Sequence, residues 1–250
     1  MTRRNIGARS LRRMPGGSVW TPMSYGTSLT GWYRDYPTFT GTQPWVSSSN
    51  ARTLYHGASG PSSGLFLNGH QTAAFDGAVN SINSDEGSDE RMQDYITASA
   101  WTCWVLFFAD TADAPVGDPR QNAAIFDDSG GTYWQLNYNT NGCVLTQVDS
   151  GSKTVTAAAS TLDWHLAQCY FDGATLGLRI DSGAWQTISS GDIGNGAWGG
   201  AANALRLGDA FTGEHFDGQI AECGIMNISI GQAGLNQVKA YINSRYAVVL

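Results

Sequence analysis

Charged residues are scarce, 14 % of the 250 residues against roughly 25 % in an average soluble protein. Exposed helix surfaces need charge, so few such helices are expected. Long apolar runs are missing as well. No stretch approaches the ~18 residues of a membrane-crossing helix, and the membrane is left out of the expected partners. The start of the chain holds arginines but no apolar stretch, which gives the expectation of no secretory leader. Cys103, Cys143, Cys169 and Cys223 lie far apart without C-x-x-C spacing. Buried free thiols of a chain folded in a reducing cytoplasm are the leading reading, while the even count leaves disulfides open. His56, His70, His165 and His215 form neither H-x-x-x-H nor a Cys/His ligand pattern. No zinc site, no required metal and no cofactor is therefore expected.

What the chain does have is glycine, 31 residues of it, and 42 % hydrophobic side chains, enough for a sizeable core. Glycine supplies the positive φ of tight turns, and here it crowds with Ser, Thr and Asn between short apolar runs. Residues 72–75 close on Asp76-Gly77, and residues 164–171 close on Asp172-Gly173. Leu176, Leu178 and Ile180 alternate with Gly177 and Arg179, the period-two pattern of a half-buried strand. Residues 95–108 form a near-continuous apolar run that suits a strand buried on both faces. Further strands are expected at 123–126, 133–138, 144–148, 205–207 and 219–226, while 47–64 reads as irregular. Only the C-terminus has helical period: Leu235, Val238, Ile242 and Tyr246 share one face, and Ser229 with Gln232 resembles a capping box at its start.

Charge is unevenly placed. Residues 1–13 hold Arg3, Arg4, Arg9, Arg12 and Arg13 and no acid, which leaves 9 bases against 21 acids in the remainder. A basic arm on an acidic body asks for a partner. The arm reads as a disordered terminus, as an electrostatic nucleic-acid binder, or as a segment that docks on a larger acidic assembly. Docking leads, and the acidic body itself repels nucleic acid. Residues 1–28 are taken as arm and linker, and 29–250 as one domain.

About ten short strands at regular spacing point to a sandwich or jelly roll. Six segments resemble, in order, the laminin-G-like form of the concanavalin A-like lectin/glucanase superfamily. They are 73–77 (AAFDG), 98–108 (ASAWTCWVLFF), 164–173 (WHLAQCYFDG), 176–183 (LGLRIDSG), 216–222 (FDGQIAE) and 237–246 (QVKAYINSRY). The resemblance implies an all-β jelly-roll sandwich of two antiparallel sheets with a short C-terminal helix, preceded here by an extended arm. It also implies that calcium is the one metal to consider, with Asp127-Asp128 or Asn83-Ser84-Asp85 as oxygen donors. Domains similar to this version occur in bacteriophage virion proteins and bacterial surface proteins.

The fold hosts hydrolases, lectins and structural modules alike, so function rests on the site. Glycoside hydrolysis needs two carboxyl groups flanking the scissile bond. The acidic cluster Asp85-Glu86-Gly87-Ser88-Asp89-Glu90 lacks the Glu-x-Asp-x-x-Glu spacing of the glucanase branch, and Glu222 has no carboxylate near it in sequence. Residues 60–64 fit G-x-S-x-G without the strand-then-helix setting of a nucleophile elbow. Residues 194–199 fit G-x-G-x-x-G with no helix to follow. A non-enzyme is expected. Lectins stack sugars on aromatic rings, and Trp198, Tyr133 and Trp134 are the candidates for that role. His165, in the Trp-His pair, is expected to make a structural hydrogen bond at a strand start. The leading expectation is a structural decoration protein of a phage virion, assembled in the host cytoplasm, present in many copies and anchored to capsid or tail proteins by its arginines. The alternative is an adhesion module for host surface glycans.

Overall fold

In the computed structural model, residues 20–37, 45–50, 52–54, 60–77, 82–83, 95–96, 100–110, 133–139, 142–148, 152–159, 162–189, 205–208 and 215–250 are described. The chain is an all-β sandwich closed by one helix. Its main sheet has eight antiparallel strands. Seven run in the order β13 (Gln186–Ser189), β12 (Thr175–Ile180), β11 (Trp164–Phe171), β7 (Trp101–Ala109), β15 (Asp217–Met226), β5 (His70–Asp76) and β4 (Ser62–Leu67), and β1 (Leu29–Arg34) also pairs with β15. Opposite one face lie a three-stranded sheet and two short pairs. The three strands are β8 (Tyr133–Asn139), β9 (Gly142–Val148) and β10 (Ser152–Ala157). The pairs are β2 (Trp45–Val46) with β3 (Thr53–Leu54), and β6 (Ile82–Asn83) with β14 (Arg206–Leu207).

The apolar run expected to be buried on both sides is β7. Trp101, Cys103, Val105 and Phe107 enter the sandwich core beside Leu136, Leu145, Cys169 and Leu178. Trp104 and Leu106 point the other way, onto the helix α1 (Gly231–Tyr246). The strand begins at Trp101, later than the apolar run suggests, with Tyr95 and Ile96 buried ahead of it. Strands β4 and β10 carry little hydrophobic pattern, and the sequence did not mark them.

Helix α1 buries Leu235, Val238, Ile242 and Tyr246, the face its period predicts. Its start differs from the expected capping box. The N-cap is Ile230 and has no side-chain cap bond. Thr102 of β7 does that work instead: its hydroxyl accepts the Ile230 N–H (3.0 Å) and donates to the Ile228 carbonyl (2.8 Å). A cap from the sheet both satisfies an orphan helix donor and docks the helix. The helix ends where Ala247 turns left-handed (φ 55°). Residues 20–28, linker-like in composition, form two short 3₁₀ turns over Pro22–Ser28 that meet at a kink at Gly26, and Trp20 and Tyr25 pack against the helix-side cluster. Among the described residues no helix is long and apolar enough to cross a membrane.

All four cysteines are free and buried. Cys103 and Cys169 lie opposite each other across β7 and β11. Burial pushes the Cys103, Cys143 and Cys223 thiols up, and a thiol is inert until it ionises. The folded protein is therefore expected to be silent to an aromatic disulfide reagent over minutes and to release four equivalents in denaturant. Rapid labelling of the native chain would contradict this packing.

Candidate functional site

The site lies on the helix side of the main sheet and begins with an irregularity in β15. The pairing of β15 with β7 shifts between Ile220 and Glu222. Ile220, Cys223 and Ile225 all face the sandwich core, whereas Ala221 and Met226 face the helix. Strict alternation from Ile220 would aim Glu222 into the apolar sandwich. The bulge inserts one residue and turns it toward the helix instead.

There Glu222 is wholly buried and fully engaged. One oxygen accepts the Trp32 indole N–H (2.7 Å), and the other accepts the Tyr246 (2.9 Å) and Tyr241 (3.2 Å) hydroxyls. The Arg245 guanidinium stands 3.7 Å away. Desolvation nevertheless raises the carboxyl above its ordinary value, the hydrogen bonds and Arg245 acting only in part against it. Arg245 continues outward to Asp35 at the end of β1, which also holds His70 Nδ1 at 2.7 Å. Strand β1, strand β5 and the helix are thus pinned together by one polar network.

Trp32 and Tyr241 connect this network to the surface. The Arg34 guanidinium lies 4.1 Å from the Trp32 ring centroid, Trp32 meets Tyr241 edge-on at 5.9 Å, and Tyr241 meets Trp20 at 6.4 Å. Between Trp20 and the helix opens a groove of about 250 Å³, lined by Trp20, Gln237, Ala240, Tyr241 and Ser244. The four helix residues follow the i, i+3, i+4, i+7 spacing of one helical stripe. The stripe is mostly solvent-facing and lies beside the core stripe. Two aromatic walls, with an amide and a hydroxyl that no described residue engages, make a binding surface. The Glu222 carboxylate behind the groove is sealed from solvent and already committed to three donors, so it cannot act as acid or base on a solvent-borne substrate.

The residues expected from sequence fall elsewhere. Arg3, Arg4, Arg9, Arg12, Arg13 and Trp198 lie outside the described residues, as do Asp127, Asp128 and the cluster 85–90. Tyr133 and Trp134 are on β8, but their side chains lie outside those described. His165 makes the structural bond expected of it, 2.7 Å to Asp181 Oδ2. The stretch 60–64 runs into β4 with no helix following, so no nucleophile elbow forms there. Among the described residues no group of three or more His, Cys, Asp or Glu could hold a metal ion. Trp20, Gln237, Tyr241 and Ser244 were not singled out by sequence. The available signal was a second helical stripe carrying an exposed-side aromatic.

No family profile matches the chain, and no curated protein matches it in sequence. Solved structures do match in shape. The binding domain of botulinum neurotoxin serotype D aligns at 11 % identity with a TM-score of 0.63, over 88 % of this chain and 52 % of that one. A structure of botulinum neurotoxin type C, a toxin dependent upon interaction with two ganglioside molecules to get into cells, aligns at 8 % identity and 0.60, over 86 % and 51 %. The binding domain of botulinum neurotoxin DC in complex with SialylT aligns at 8 % and 0.59, again over 86 % and 51 %. The chain thus spans about half the length of each. Such likeness shows the fold: a β-sandwich domain of the kind found in about half of each of these toxin chains.

Proposed function

We propose that this chain is a non-enzymatic, lectin-like glycan-binding domain. The observation that carries the reading is the open groove walled by Trp20 and Tyr241 and furnished with Gln237 and Ser244. Aromatic rings offer an apolar face to the C–H side of a sugar, and neighbouring amides and hydroxyls exchange hydrogen bonds with its hydroxyls. The glycan ligands of the structurally similar toxins support it, while the groove itself belongs to this chain. A glycan array probed with the full chain tests the reading. Binding to a defined set of glycans is expected, and silence across the array would end it.

The arginine arm favours a setting for the domain. Five arginines within the first 13 residues precede a strongly acidic body, and the six-segment resemblance is to laminin-G-like domains of a version found in phage virion proteins and bacterial surface proteins. The finer reading is a virion decoration protein in many copies, tethered to capsid or tail proteins by Arg3, Arg4, Arg9, Arg12 and Arg13 and displaying its groove outward. Replacing all five by Ser leaves Trp20 in place. That variant is expected to lose co-sedimentation with phage particles while keeping glycan binding; equal co-sedimentation of both chains would remove the tether.

A further inference from the structure

The geometry points to a neutral sugar ring as the ligand of the Trp20–Tyr241 groove. This inference rests on the glycan-binding reading and narrows it. Charge decides the class. None of the five lining residues carries an ionic side chain. Burial and the neighbouring Glu222 push the Tyr241 hydroxyl up, so it stays neutral. The charges behind the aromatic wall are matched within themselves, Arg34 and Arg245 against Asp35 and Glu222. The Arg34 guanidinium is engaged by the Trp32 ring, by the Ser48 hydroxyl at 3.2 Å and by the hydroxyl of Tyr241. Among the described residues, a sugar carboxylate entering here would give up its hydration with no unengaged cation in return.

Shape sets the size. Trp20 and Tyr241 meet at an interplanar angle of 69°, so they form a platform with an edge wall and not two parallel faces. One C–H face can lie on the platform while the ring edge meets the wall. At about 250 Å³ the groove falls below the roughly 300–1,000 Å³ of drug-sized ligand sites, which fits a single terminal ring. Gln237 supplies two donors and an acceptor, and Ser244 supplies a hydroxyl. Both are exposed, and neither side chain is engaged among the described residues. A ring rich in hydroxyls uses all of these; a purely apolar ligand would use none.

The test is titration of the full chain with matched oligosaccharides ending in a neutral hexose or in the same chain capped by sialic acid, followed by Trp fluorescence and calorimetry. The neutral-ended series is expected to bind and the capped series to fail. Affinity should hold between low and high salt, because no ion pair is screened. Gln237→Ala and Ser244→Ala sit on the solvent side of the helix and leave the core intact. Each is expected to weaken binding about fivefold, the worth of one hydrogen bond, and Trp20→Ala to abolish it. Three results overturn the inference while sparing the glycan reading: binding of acidic glycans only, a steep loss of affinity with salt, or neutral-glycan binding untouched by all three variants. A concentration-dependent dimer lost in Trp20→Ala would overturn it too, by placing a second copy in the groove. Binding to no glycan at all defeats the glycan reading itself.

Discussion

Glu222→Ala is expected to lower the melting temperature by roughly 10 °C, the effect of losing about 3–5 kcal/mol in a domain of this size. The substitution strands the buried Trp32 indole N–H, removes the acceptor of the half-buried Tyr241 hydroxyl and leaves Tyr246 only its longer bond to the Ala221 carbonyl. It also removes the buried carboxylate that faces Arg245. Removing one member of a buried network costs the desolvation of those that remain, more than the network contributed. Thermal unfolding followed by near-ultraviolet circular dichroism measures it. A shift of a degree or two would mean that water enters and replaces the carboxylate. Glu222→Gln separates charge from shape and carries a sign. The folded carboxyl titrates above its ordinary 4.5. Between that value and its folded pKa, the native state holds a proton the unfolded chain has released. Stability therefore falls as pH rises through that window, and the Gln variant, with no proton to lose, flattens the slope. A wild-type profile rising through the same window would reverse the assignment.

Gly224→Ala is the second large effect, an expected loss of about 3 kcal/mol and the same order of fall in melting temperature. Gly224 sits on β15 between Trp32 of β1 and Trp104 of β7 in register. A Cβ there would fall inside the Trp104 ring, against Cζ2 and Cη2. Trp104 is fully buried and cannot swing out, so the sheet or the helix must shift. The missing side chain is what lets an indole lie flat across the middle strand under the helix. Chemical denaturation of the variant reads the change as a lowered midpoint at constant slope; an unchanged midpoint would show that the ring repacks freely.

Strand identity was legible wherever turn chemistry and hydrophobic period agreed. The Asp76-Gly77 and Asp172-Gly173 turns close β5 and β11, and Leu176, Leu178 and Ile180 face the core from β12 as their alternation requires. The helix face was legible for the same reason, since period follows from backbone geometry alone. Its cap was not. Ser229 and Gln232 have the right spacing, yet Thr102, 128 residues before Ile230, makes the bond. Trp20 lies in a stretch whose prolines and glycines spell linker, and nothing local reveals that its ring meets Tyr241.

Composition and pattern by themselves determined that this chain folds as an antiparallel sandwich with one amphipathic helix, because local propensity and burial period are properties of neighbouring residues. Only the tertiary structure decided where a ligand can sit. Glu222 is an isolated acid in an apolar strand until a bulge rotates it toward donors 190 and 24 residues distant in Trp32 and Tyr246. The groove exists because that contact holds Tyr241 of the helix against Trp32 of β1, with Trp20 brought alongside. Bulge register and long-range hydrogen bonds depend on which strands pair, and that is settled by the closing of the whole sheet.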